Sequence, residues 1–136
     1  MNEQVRVGVA VIVEKNGKIL IGLRKSKTHG NGTWQFPGGH LEYKESFEVC
    51  AKREVKEETN LEVEDLQVVG VTNDYFEETG RHYVTIFVKA NKVTGELINK
   101  EPHKCEEWKW IKKEELASLP NLFLPIKNLI KEGYEL

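Results

Sequence analysis

Cysteine is scarce: the 136 residues hold only Cys50 and Cys105. The two lie far apart and in no metal-ligand spacing, which argues against a disulfide framework or a zinc site and leaves two buried thiols as the expectation. Long apolar runs are missing, so no membrane role is expected. The start, Met1 to Gln4, lacks the basic stretch, apolar core and cleavage site of a secretory signal, and a cytoplasmic location is expected. An excess of basic charge is also absent. With a net charge of −2, the chain has no electrostatic footprint for a nucleic-acid polymer, although a mononucleotide remains open. Repeats, low-complexity tracts and linkers are lacking too, and this length suits one hydrophobic core, so residues 1–136 are read as a single domain.

What is present is ordered in sequence-local patterns. Residues 6–24 are apolar and β-branched, interrupted by Asn16-Gly17, which predicts a two-stranded hairpin. Residues 25–39 are rich in glycine and carry Lys25, Lys27 and His29, the composition of a basic loop. Ser46 is a candidate N-cap for a helix from Phe47 to Thr59, with Asn60 as its stop. Strands are expected over 66–73, 82–90 and 106–111, with a turn at 77–80, and a closing helix over 122–131. Strands, helix, strands, helix is the order of a mixed α/β (α+β) sheet covered by helices. The apolar stretch from Leu122 to Ile130 either closes the core or joins a second copy, and a homodimer is the expectation.

The first helix would be poorly stable alone. Projected at about 100° per residue, Phe47, Cys50, Ala51 and Val55 share one face, while Lys52 and Lys56 lie opposite. Glu54, Glu57 and Glu58 crowd the edge of the apolar face. Like charges there repel, and desolvating them is costly unless something positive compensates. Several carboxylates from successive turns suit a hard divalent cation such as Mg²⁺ or Mn²⁺. On the wheel alone a second reading stands beside it: solvated glutamates paired with lysines.

The preceding residues decide between them. Gly39, five residues, Glu45, seven residues, then Arg53-Glu54-Val55-Lys56-Glu57-Glu58-Thr59-Asn60-Leu61 resembles the Nudix box. One fixed position departs: Asn60 replaces the family's glycine, and asparagine also tolerates the left-handed conformation that ends a helix. Lys44 likewise replaces a glycine common before the box glutamate. The Phe36-Pro37-Gly38-Gly39-His40 entry, the strand at 83–87 and the segment from Cys105 to Trp110 are similar to the MutT-like branch.

The resemblance implies a Nudix α/β/α sandwich with a mixed sheet and a metal-dependent cleavage of a phosphoanhydride bond. Glu54, Glu58 and Glu57, with the Gly39 carbonyl, are the implied metal ligands, for Mg²⁺ or its substitute Mn²⁺. Arg53 and Glu45 are implied to pair and orient those carboxylates. The general base is one of the box glutamates or Glu106. Arg24 is read either as a partner for a distal phosphate or as a solvated strand-end charge, with Lys25 the competitor. Gln35 and Thr85 can hydrogen-bond a base or phosphate, and their positions resemble substrate-side positions of the MutT-like branch. Trp34, Phe76, Phe87 and Phe123 are read first as core, and Phe123 also as a substrate contact. His40 is read as structural, and Trp108 and Trp110 as packing. The implied reaction takes a nucleoside triphosphate, oxidised or non-standard bases included, to a monophosphate and pyrophosphate. ADP-ribose or another nucleoside-diphosphate derivative is the alternative, disfavoured by Phe76, where ADP-ribose branches carry a proline. A non-catalytic nucleotide-binding module is the alternative of another class.

Overall fold

The computed structural model describes residues 3–135. Strands β1 (Val5–Lys15) and β2 (Lys18–Arg24) pair antiparallel through Glu14↔Ile19 and Lys15↔Lys18. At the turn between them Asn16 and Gly17 have φ of 54° and 77°, the left-handed pair that a tight hairpin needs. β3 (Trp34–Gln35), β4 (Gly38–His40), α1 (Phe47–Thr59), β5 (Glu62–Phe76), β6 (Arg81–Thr94) and β7 (Cys105–Lys112) follow. A 3-10 turn over Lys113–Ser118 leads to α2 (Leu124–Lys131).

β1 is the hub. Along Val5–Val13 it runs parallel to β6, which in turn pairs antiparallel with β5, and at Gly8–Ala10 it pairs antiparallel with β4. A second, antiparallel arm forms where β2 pairs with both β3 and β7. The sheet is therefore mixed, as the resemblance implies.

Both faces are covered, which explains why β1 reads as a nearly continuous apolar run. Val9, Val11 and Val13, with Val88 and Ala90 of β6, pack against Cys50, Ala51 and Val55 of α1. The alternate residues Ile12 and Phe87 turn the other way, into a cluster with Ile126 and Leu129 of α2. Each fully buried Val, Ile or Phe contributes about 1.5–3 kcal/mol, so the two clusters hold the helices to the sheet. Both cysteines are buried free thiols.

Four local expectations need correction. β5 and β6 are much longer than the apolar runs at 66–73 and 82–90, because charged residues at Glu62, Glu64 and Lys92 face outward while the backbone stays paired. The stretch read as loop holds β3 and β4, which borrow their hydrogen bonds from β2 and β1. α2 begins at Leu124, with Phe123 as its N-cap residue. Phe47, placed on the apolar face of α1, is 38% exposed, the rest of the first turn is exposed as well, and the buried face begins at Cys50.

The caps of α1 follow the local chemistry. The Ser46 hydroxyl accepts from the Val49 N–H at 3.1 Å. Asn60 adopts φ 68°, and its side chain donates to the Glu96 carbonyl at 3.1 Å. Asn60→Ala is expected to lower stability by about 1–2 kcal/mol, because alanine pays the full left-handed penalty. Urea unfolding midpoints check this, with Asn60→Gly expected to lie close to the parent.

Candidate active site

The box folds so that β4 lies directly against α1. A side chain at Gly39 would collide with the Glu54 carboxylate, and one at Gly38 with the Val9 carbonyl across the β1–β4 pair. Glycine at 38 lets β4 lie against the β1 backbone, and glycine at 39 leaves the Glu54 carboxylate its present place. The Gly38 N–H donates to Glu58 Oε1 at 3.3 Å, and Glu54 lies one turn earlier on the same side of the helix.

Arg53 organises the acids around it. Its Nε and Nη2 donate to the two Glu45 oxygens at 2.6 and 3.0 Å, a bidentate pair, and its Nη1 reaches Glu54 at 2.6 Å and Glu57 at 3.2 Å. The Glu42 N–H also donates to Glu45 at 3.0 Å. The Arg53 hydrogen bond, offset in part by burial, holds the Glu45 pKa down at about 2, and Glu45 raises that of Arg53 in return. Glu58 goes the other way. Loss of hydration, then its hydrogen bond and charge repulsion with Glu54, raise its pKa well above the ordinary carboxylate value.

A cation placed beside these carboxylates would relieve that repulsion. The donor set, three carboxylates beside the Gly39 backbone, is all hard oxygen and fits a divalent ion in its chemistry. In position Glu54 and Glu57 are committed to Arg53, and among the described residues no three His, Cys, Asp or Glu side chains stand gathered as a ready cage. The guanidinium occupies the role of positive partner for Glu54 and Glu57.

Two adjoining cavities open here. The larger, about 520 Å³, is lined by Glu54, Glu57 and Glu58 together with Arg24, Lys25, Glu101 and Lys104. The smaller, about 120 Å³, is aromatic, with His29, Phe76, Tyr83 and Phe123 in its wall. The His29 ring lies 4.1 Å from that of Phe76, and Phe76 lies 5.5 Å from Phe123. Arg24, Gln35, Gly38, Gly39 and His40 border both. Arg24 is held there by donating to the His29 carbonyl at 3.0 Å and to Gln35 Oε1 at 3.0 Å, with its guanidinium 4.8 Å from the Phe123 ring centre.

Burial, and after it the charge of Arg24, lowers the His29 pKa to about 4. The unfolded chain therefore binds a proton at His29 that the folded chain refuses. Its contribution to stability is present above the ordinary imidazole pKa of about 6.5 and is lost as pH falls toward 4. The melting temperature of the parent is expected to fall over that window more steeply than that of His29→Gln, in parallel melts at constant ionic strength.

The structure brings Arg53, Glu54, Glu57, Glu58 and Gly39 together at one edge of the larger cavity, holds Glu45 against Arg53 outside its lining, and places Gln35, Thr85 and Phe123 around the smaller one. Arg24 sits between. Glu106 is not brought into this group: its side chain is 60% exposed and lies 3.9 Å from Lys25 Nζ. His40 borders both cavities with its Nε2 3.0 Å from the Tyr83 hydroxyl. Trp108 and Trp110 pack against the core. Sequence reasoning missed Glu101 and Lys104, which come from an aperiodic loop, and Asp74. The last had a signal: on β5, Thr72, Asp74 and Phe76 alternate as the buried set, so the acid falls in an inward register.

Comparison with known proteins agrees with the geometry. The NUDIX domain family matches residues 2–132. An 8-oxo-dGTP diphosphatase of Proteus vulgaris is 29% identical over 99 residues, covering 73% of this chain and 87% of that protein. An ADP-ribose pyrophosphatase of Methanocaldococcus jannaschii is 31% identical over 126 residues, covering 93% and 71%. The crystal structure of a MutT NUDIX hydrolase from Burkholderia pseudomallei superposes with a TM-score of 0.85 at 27% identity, covering 97% of this chain and all of that one. Fold, box and relatives make this chain a hydrolase. It belongs to the NUDIX domain family, as a MutT-like Nudix hydrolase.

Proposed function

We propose that the enzyme hydrolyses a nucleoside triphosphate, oxidised or non-standard bases included, to a monophosphate and pyrophosphate, with Mg²⁺ as cofactor and Mn²⁺ as a substitute. The observation that carries this is the adjacency of the two cavities. A small aromatic recess suits a base, and a larger charged cleft beside it suits a phosphate chain with its cation. A bound divalent ion supplies positive charge to the phosphate oxygens and acidifies water.

The chain's own residues do the rest. Glu54, Glu57 and Glu58, with the Gly39 carbonyl, hold the ion, and Glu45 keeps Arg53 in place so that the ligand carboxylates stay oriented. A box glutamate accepts the proton of the attacking water. Arg24, already fixed by two hydrogen bonds, faces both cavities and pairs with a phosphate at their junction.

ADP-ribose is the second reading, supported by the identity to an ADP-ribose pyrophosphatase across 93% of this chain. Against it stands Phe76, which is buried in the aromatic wall where ADP-ribose branches carry a proline. The test is pyrophosphate and phosphate release from canonical and oxidised triphosphates, ADP-ribose and dinucleoside polyphosphates, with Mg²⁺, with Mn²⁺ and with chelator. Metal-dependent pyrophosphate release from triphosphates is expected. Cleavage confined to ADP-ribose would replace this reading with the second.

A further inference from the structure

The aromatic cavity is partly filled by the chain itself. His29 is buried, and its ring lies 4.1 Å from that of Phe76, 5.5 Å from Tyr83 and 6.2 Å from Phe123, nearly parallel to the last. The space left beside it, about 120 Å³, falls short of the roughly 300–1,000 Å³ of small-molecule sites. The imidazole stands where a flat ligand ring would find its aromatic partners.

It is poorly satisfied there. Its Nε2 lies 3.4 Å from Arg24 Nη2 and its Nδ1 3.5 Å from the Thr28 hydroxyl, both long for a hydrogen bond. An apolar ring of the same size would fill the place without the loss of hydration. The backbone, by contrast, is pinned: the His29 carbonyl accepts from Arg24 Nε at 3.0 Å, and the Gly30 N–H donates to Glu78 at 3.2 Å. A swing of the side chain alone empties the recess and leaves Arg24 in place.

We infer that His29 is a resident plug of the base recess: a nucleotide base takes the place of its imidazole beside Phe76, and the displaced ring turns out to solvent. The inference rests on the aromatic cavity being the base site, and it deepens that reading by naming what leaves when the base enters.

The exchange is coupled to a proton. Inside, the ring faces Arg24 of β2, Arg81 and Tyr83 of β6, Glu78 of the turn before β6 and His40 of β4, while β5 and the entry to α2 supply the rings of Phe76 and Phe123. Burial and the two arginines outweigh Glu78, so the buried imidazole stays neutral down to about pH 4. In solvent it regains its ordinary pKa of about 6.5. Base binding therefore takes up a proton at acid pH and almost none at pH 7.5.

Binding of dGMP and dCMP to the full chain, with an NMR titration of the His29 ring, tests this without requiring hydrolysis. The ring is expected to titrate well below its ordinary value in the free protein, and at about 6.5 or above in the nucleotide complex. His29→Ala has no ring to expel, so it binds at least about tenfold more tightly than the parent at pH 7.5. Relative to His29→Ala, the parent gains about five- to tenfold in affinity between pH 7.5 and 5.5. A ring that titrates as low in the complex as in the free protein overturns the plug and leaves the base site standing, whether or not His29→Ala folds. Weaker binding by a folded His29→Ala makes the ring a wall of the site and overturns the plug as well. No binding of either nucleotide, by parent and variant alike, sinks the base site and the plug with it.

Discussion

Glu58→Gln is expected to lower kcat by about three orders of magnitude while the protein folds normally. The physical reason lies in the position of Glu58. It is half-buried, receives the Gly38 N–H, and is raised in pKa by lost hydration and by Glu54, so the metal-free fold holds its charge only at a cost. An amide of the same shape keeps the Gly38 bond through its carbonyl oxygen but loses the negative charge a divalent ion needs. The same substitution is therefore expected to leave the melting temperature without metal unchanged or higher, while abolishing the rise that Mg²⁺ and nucleotide together give the parent. Steady-state turnover and a pair of melts check both halves. Unchanged turnover would remove Glu58 from the metal site.

The second large effect is on stability. Arg53 holds Glu45, Glu54 and Glu57 together and also donates to the His40 carbonyl at 3.3 Å. Its side chain is 24% exposed and that of Glu45 only 8%. Truncating Arg53 leaves a buried carboxylate without its bidentate partner, and Arg53→Ala is expected to cost about 3 kcal/mol. Arg53→Lys should recover less than half, since an ammonium cannot reproduce the fork. The pH signature has a definite sign. Glu45, with its folded pKa held at about 2, contributes stability that is present above its ordinary pKa of about 4.5 and is lost as pH falls toward 2. In Arg53→Ala that acid-side slope should flatten. A double-mutant cycle with Glu45→Gln, read by urea unfolding at neutral pH, separates the pair's coupling from the contacts to Glu54 and Glu57. Additive single effects would show that the two side chains act independently.

The box and its helix were legible because their chemistry is local. Ser46 and Asn60 cap α1 through bonds to residues three or four positions away, and Asn16-Gly17 turns the first hairpin through its own backbone preferences. The acidic edge of α1 follows from helical spacing alone, as do Cys50, Ala51 and Val55 on its buried face. The β5–β6 pair was read too short because strand length there depends on a partner rather than on composition. The outward Glu62, Glu64 and Lys92 carry no sign of the ladder they extend.

The aromatic cavity is different in kind. His29 comes from the loop after β2, Phe76 and Tyr83 from opposite sides of a turn, and Phe123 from the entry to α2. No spacing in the chain links them. They meet because β1 and β6 run parallel and α2 folds back onto β5, so that Asn128 reaches Asp74 across 54 positions of sequence. Capping, turn and periodicity rules act over a few residues and mark where acids can gather on a helix. Which acid is buried, which is paired with Arg53, and which ring fills the aromatic cavity depend on hydration and contact between distant segments, and those exist only once the sheet and both helices have closed.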